Sequence, residues 1–91
     1  LDLAVVCAIL SSDIDRPLHK GDCFAGEVGL SGEIRPTSRI EQRIAEADKL
    51  GYKRIFVPTM PKPISTEKYS IKVVFADRLE QVTSLCFNNQ Q

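Results

Sequence analysis

The sequence has one histidine, three cysteines and no net charge, with twelve basic residues against twelve acidic ones. Each shortage excludes something. A zinc site needs about four ligands, so His19 beside Cys23 makes a poor metal site. One loop histidine gives no firm basis for a Ser, His and Asp set. Cys7, Cys23 and Cys86 are odd in number and none belongs to a C-x-x-C pair, which points to a reduced, cytoplasmic setting. Balanced charge predicts no polyanion partner by itself and leaves only local clustering to consider. No apolar run approaches the ~20 residues of a membrane span. The opening L-D-L-A-V-V-C-A-I-L has no basic n-region and is broken by Asp2, so it reads as a helix inside a domain, not as a signal sequence. There is no internal repeat and no inter-domain linker. Residues 1–91 therefore read as one small domain, or part of a larger one, of ordinary globular composition.

What is present has clear periodicity. Asp2 to Ser12 reads as a buried helix, with Leu3, Val6, Cys7 and Leu10 at helical spacing and Val5 and Ile9 widening the stripe. Asp13 to Gly21 is a polar loop. Cys23–Leu30 and Glu33–Pro36 read as a β-hairpin turning at Ser31-Gly32, with Gly26 and Gly29 as bulges or points of close approach. Ser38 and Glu41 have the spacing of a capping box ahead of a helix carrying Ile40, Ile44 and Ala47 on one face and Leu50 at its edge. Gly51 is placed to end that helix. Tyr52–Val57 alternates as a strand entering Pro58, so strand, helix and strand give a βαβ order on a sheet. A proline-bearing surface loop follows, then a strand over Ile71–Phe75. Asp77 and Glu80 signal a cap, and Leu79, Val82 and Cys86 mark a last helix. The Asn-Asn-Gln-Gln end reads as frayed.

Candidate chemistry is sparse. G-x-x-G-x-x-G at 26, 29 and 32 lies in a hairpin and has the wrong spacing for a phosphate loop. Asp13, Asp15 and Asp22 lack the glycine and distal glutamate of a calcium loop. Glu27 and Glu33 fit paired acids across a hairpin, but alternating exposed positions explain them as well. The basic residues say more. Arg35, Arg39, Arg43, Lys49, Lys53 and Arg54 face only Glu41, Glu46 and Asp48 in the same window, a local excess of three positive charges. Arg39, Arg43 and Glu46 share one helix flank. This pattern suits either an ion-paired exposed face or a phosphate-binding surface.

The run G-E-V-G-L-S-G-E-I-R-P (26–36), followed by R-I-E-Q-R-I-A-E-A-D-K-L-G-Y-K-R-I-F-V-P (39–58), resembles the C-terminal region of the RadA (Sms) family of bacterial DNA repair proteins. D-L-A-V-V-C-A-I-L-S-S (2–12) and D-R-P (15–17) extend the resemblance; it weakens in the proline loop and returns in the closing strand and helix. It implies an α/β (α+β) fold of the ribosomal protein S5 domain 2 type, similar to the proteolytic domain of Lon, of which residues 1–91 would be the later part. Further strands would then precede the first helix and leave a sheet edge for another chain to cover. Lon-type proteases use a serine with a lysine base. By the match, the lysine position falls at Glu41 and the serine lies before Leu1, so the resemblance implies a domain without protease activity. It further implies contact with double-stranded or branched DNA, for which Arg35, Arg39, Arg43, Lys53 and Arg54 are the candidates, and assembly into a hexameric ring. ATP, magnesium and zinc would belong to an N-terminal part, with no cofactor held by these residues. Two other readings stay open: a fragment of a working Ser/Lys protease, and a purely structural oligomerisation module.

Overall fold

The computed structural model describes residues 1–87; the frayed end expected at 88–91 lies outside them. Helix α1 spans Leu3–Asp13. It starts where it does because the Asp2 carboxylate accepts from the N–H groups of Ala4 and Val5, at 2.8 and 3.3 Å, meeting two of the donors a helix start leaves open. Leu3 and Cys7 are buried and Val6 and Leu10 half-buried, but Val5 and Ile9 are 50% and 57% exposed. The widened stripe is thus corrected to a narrow one. The core meets only one side of the helix, and Val5 and Ile9 point away from it.

The stretch expected as one hairpin strand divides in two. β1 (Asp22–Phe24) runs parallel to β4 (Arg54–Pro58), whereas β2 (Glu27–Val28) pairs antiparallel with β3 (Ile34–Arg35). The break falls at Ala25-Gly26. Ala25 N–H still donates to Phe56 O, at 2.9 Å, and then Gly26 takes φ +146°. The Pro58 ring and Ile34 lie where a Cβ on Gly26 would stand, each 3.2 Å away, so close approach as well as φ favours glycine here. The parallel partner of β4 is consequently β1, and the hairpin belongs to the crossover together with α2 (Ile40–Lys49).

β5 (Lys72–Ala76) completes a three-stranded sheet of order β1-β4-β5, with β4 and β5 parallel. β4 is buried from Ile55 to Pro58 instead of alternating. The cause is that it has a core on each face. Phe56 joins Leu3, Cys7, Val82 and Cys86, from α1 and from α3 (Leu79–Cys86), while Ile55 and Val57 join Ile40, Ile44 and Ala47 of α2. Pro58 is tolerated in this central strand because β1 has already ended beside Phe56; the missing N–H is not needed.

Gly51 ends α2 as expected. At φ +89° its N–H reaches Asp48 O and the next N–H, of Tyr52, reaches Ala47 O, both at 3.1 Å, the paired bonds of a Schellman stop. The cap of α3 is shifted from the expected Asp77 and Glu80. Gln81 Oε1 accepts from the N–H groups of Asp77 and Arg78, at 2.8 and 3.0 Å. The guanidinium of Arg78 cannot accept, so the Gln81 N–H turns to the Arg78 carbonyl instead, at 3.1 Å.

Candidate nucleic-acid interface

The candidate basic residues divide once their surroundings are seen. Arg39 begins α2 in the left-handed region, φ 64°, with no capping hydrogen bond from its side chain. The helix starts at Ile40, so Ser38 is two residues short of it and Glu41 is already the second helical residue. The expected Ser38–Glu41 capping box is therefore absent: the left-handed turn at Arg39 takes its place and removes the register that the box requires. Glu41 is exposed on the first turn of α2. One turn on from Arg39, Arg43 follows on the same flank. Both are exposed, and neither forms an ion pair among the described residues.

These two arginines stand at a groove of about 550 Å³ between α2 and β1. Ala25, Ala47 and Ile55 line it within, and Gln42, Tyr52 and Leu50 also border it. No pattern along the chain marks Gln42 or Tyr52, since one is an ordinary polar helix residue and the other follows the helix stop. Glu46 lines the same groove and offsets part of its positive charge. Cys23 lies there too; burial, helped by Asp22, pushes its thiol up to about 11, which leaves it protonated and poorly nucleophilic at neutral pH.

Arg54 is removed from the set of available cations. Its guanidinium grips Asp22 with two bonds, Nε to Oδ1 at 2.9 Å and Nη2 to Oδ2 at 2.7 Å, and lies 4.8 Å from the centre of the Phe56 ring. The Asp22 side chain is only 4% exposed. The hydrogen bonds to Asp22 raise the Arg54 pKa further. This bidentate pair joins β1 to β4 through the Nε and Nη2 edge of the guanidinium and neutralises its charge. Arg35 is exposed but is engaged by Glu33, Nε to Oε2 at 3.1 Å. The Glu33 carboxylate is held down at about 2, first by the Ser31 hydroxyl and then by Arg35. Lys53 is exposed and unpaired among the described residues, with its stem packed under Gly21. Arg39, Arg43 and Lys53 are left as free cations from the original five.

No group of three or more metal-binding side chains occurs among the described residues. Asp22, one of the three loop carboxylates considered, is committed to Arg54. Cys7 and Cys86 meet in the core between α1 and α3; their mutual hydrogen bond and burial push the Cys7 thiol up. No described helix is long and apolar enough to cross a membrane.

The described residues form a small mixed α/β domain with a parallel sheet and a hairpin, and α2 carries a basic flank. The chain belongs to the family described as subunit ChlI of Mg-chelatase, whose profile matches residues 1–61. It is similar to proteins named DNA repair protein RadA. The RadA of Listeria monocytogenes is 59% identical over 58 residues, covering 64% of this chain and 13% of that protein. The Bacillus subtilis protein is 50% identical over 74 residues, covering 81% and 16%, respectively. The Streptococcus pneumoniae protein is 49% identical over 88 residues, covering 84% and 21%. The chain thus spans between 13% and 21% of the length of these curated relatives.

Proposed function

We propose that this chain is a non-catalytic, Lon-like domain with the S5 domain 2 type of fold, part of a RadA-type DNA repair and recombination protein, and that it contacts double-stranded DNA and takes part in ring assembly. The observation that carries the reading is the likeness to proteins named for DNA repair, joined to two free guanidiniums, Arg39 and Arg43, at one groove. Phosphates are the target such groups suit. They are alike at every step of a duplex, so the contact positions the protein without reading sequence. Glu41 at the place of the Lon lysine supports the non-catalytic part. A lysine base activates a serine hydroxyl after losing its proton in a desolvated site, and an exposed carboxylate on α2 offers a different charge and reach. ATP, magnesium and zinc, and the motor that uses them, would belong to the rest of such a protein.

The test is the Arg39→Ala, Arg43→Ala double variant in the full-length protein, with duplex binding measured at several salt concentrations. Loss of two phosphate contacts should weaken binding alike on unrelated sequences and reduce the salt slope of log affinity by about 2. Unchanged affinity and slope in an intact assembly would remove this flank from the DNA path and leave a scaffold role.

A further inference from the structure

The main sheet ends in β1 on one side and β5 on the other. β1 is three residues long and borders the groove that holds Arg39 and Arg43. β5 is longer and pairs with β4 along all five of its residues, without a bulge. Lys72 N–H donates to Lys53 O at 3.0 Å, and Thr59 N–H donates to Ala76 O at 3.1 Å. Those two bonds fix the alternation of a parallel ladder. The backbone groups of Lys72, Val74 and Ala76 face β4; those of Val73 and Phe75 face away. Among the described residues nothing meets the N–H and C=O of Val73 and Phe75.

The side chains make this edge unusual. Proteins blunt open edges with proline, bulges or central charges. Here K-V-V-F-A has one lysine at its start and no proline. Phe75 is 40% exposed. It lines an apolar cavity of about 290 Å³ together with Met60, Pro63 and Ile64.

We propose that β5 is a dimerisation edge, pairing antiparallel with β5 of a second copy about a two-fold axis at Val74. The occupant follows from self-complementarity. That axis sets Val73 of each copy opposite Phe75 of the other, and these are the residues whose backbone groups point outward. Each opposed pair exchanges two N–H···O=C bonds, which gives four for the dimer and joins two three-stranded sheets into one of six. Charge agrees with the direction. Lys72 is exposed, and in this register it stands across from Ala76 of the other copy, so the two lysines lie at opposite ends of the seam, whereas parallel pairing in register would set them side by side. On the face carrying the cavity, Phe75 meets Val73, an aromatic and β-branched cross-strand pair. A two-fold contact closes at two copies, so it is separate from any head-to-tail ring contact. It stands whether or not the chain touches DNA.

Sedimentation velocity of the full chain over a range of concentrations tests this, with Val73→Pro and Phe75→Lys as variants. Proline at 73 deletes an N–H that faces away from β4, so the β4 ladder keeps all its bonds. The two-fold repeats the loss, and two missing hydrogen bonds should weaken association by about tenfold. Lysine at 75 places a charge at the contact and supplies an independent test should proline disturb the strand. The expected result is a concentration-dependent dimer in the parent chain and a shift to monomer in variants with unchanged circular dichroism. A parent chain that stays monomeric overturns the proposal, as does a dimer that folded variants leave intact.

Discussion

Arg54 and Arg39 are the same residue type with opposite roles, and surroundings decide which is which. Arg54 closes a bidentate pair on an Asp22 side chain that is almost wholly buried, so its loss would leave a carboxylate in the core without a counter-charge. Arg54→Ala should cost about 3 kcal/mol in urea unfolding, the lower end for a broken buried pair because the arginine is partly wet. Arg39→Ala and Arg43→Ala should each stay within about 0.5 kcal/mol of the parent, as exposed side chains without partners do. Glu33 supplies a pH test. Its folded-state value, about 2, lies below the ordinary carboxylate value of 4.5. A depressed acid contributes its stabilisation above the unfolded value and loses it as pH falls through the folded one. The hairpin turn should therefore keep its structure at pH 5 and loosen between about pH 4.5 and 2. Amide chemical shifts of Ser31 and Gly29 followed over that range would check it, and Glu33→Gln should abolish the transition.

At the scale of elements, the helix ends are set by different devices. α1 uses an aspartate cap, α2 a left-handed arginine and a glycine stop, and α3 the returning side chain of Gln81. Gln81 Oε1 serves two backbone donors at once. Gln81→Ala should thus cost about 1 kcal/mol, measured by thermal or urea unfolding, and Glu80→Ala clearly less. Equal costs for the two would place the cap at Asp77 and Glu80 after all.

At the scale of the whole molecule, the described residues form two apolar clusters on either face of the three-stranded sheet, and β4 is the element they share. Phe56 belongs to one cluster and its neighbours Ile55 and Val57 to the other. Neither cluster can be lost without exposing the other face of β4, so unfolding should be one cooperative transition. Val82→Ala on one side and Ile44→Ala on the other should each lower stability by about 2–4 kcal/mol. In both variants far-ultraviolet circular dichroism and tyrosine fluorescence should report the same midpoint; split midpoints would mean that the clusters unfold separately.

Elements whose cause is local were legible along the chain. The helical stripe of Leu3, Cys7 and Leu10, the face of Ile40, Ile44 and Ala47, the glycine stop at Gly51 and the strand before Ala76 all follow from spacing and from the backbone freedom of single residues. The excess of basic residues around α2 was also legible, because charge is counted along the chain. Contacts between distant segments set the rest. Whether Cys23–Leu30 formed one strand or two depended on β4, about thirty residues away, which captures β1 and presents Pro58 to Gly26. Asp22 meets Arg54 only because those strands lie side by side, and that contact takes one of the five candidate cations out of reach. The left-handed turn at Arg39 displaced a capping box that local spacing favoured. Periodicity reports which face of an element is apolar, but the partner of a charge and the open edge of a sheet are properties of residues far apart in the chain and near in space.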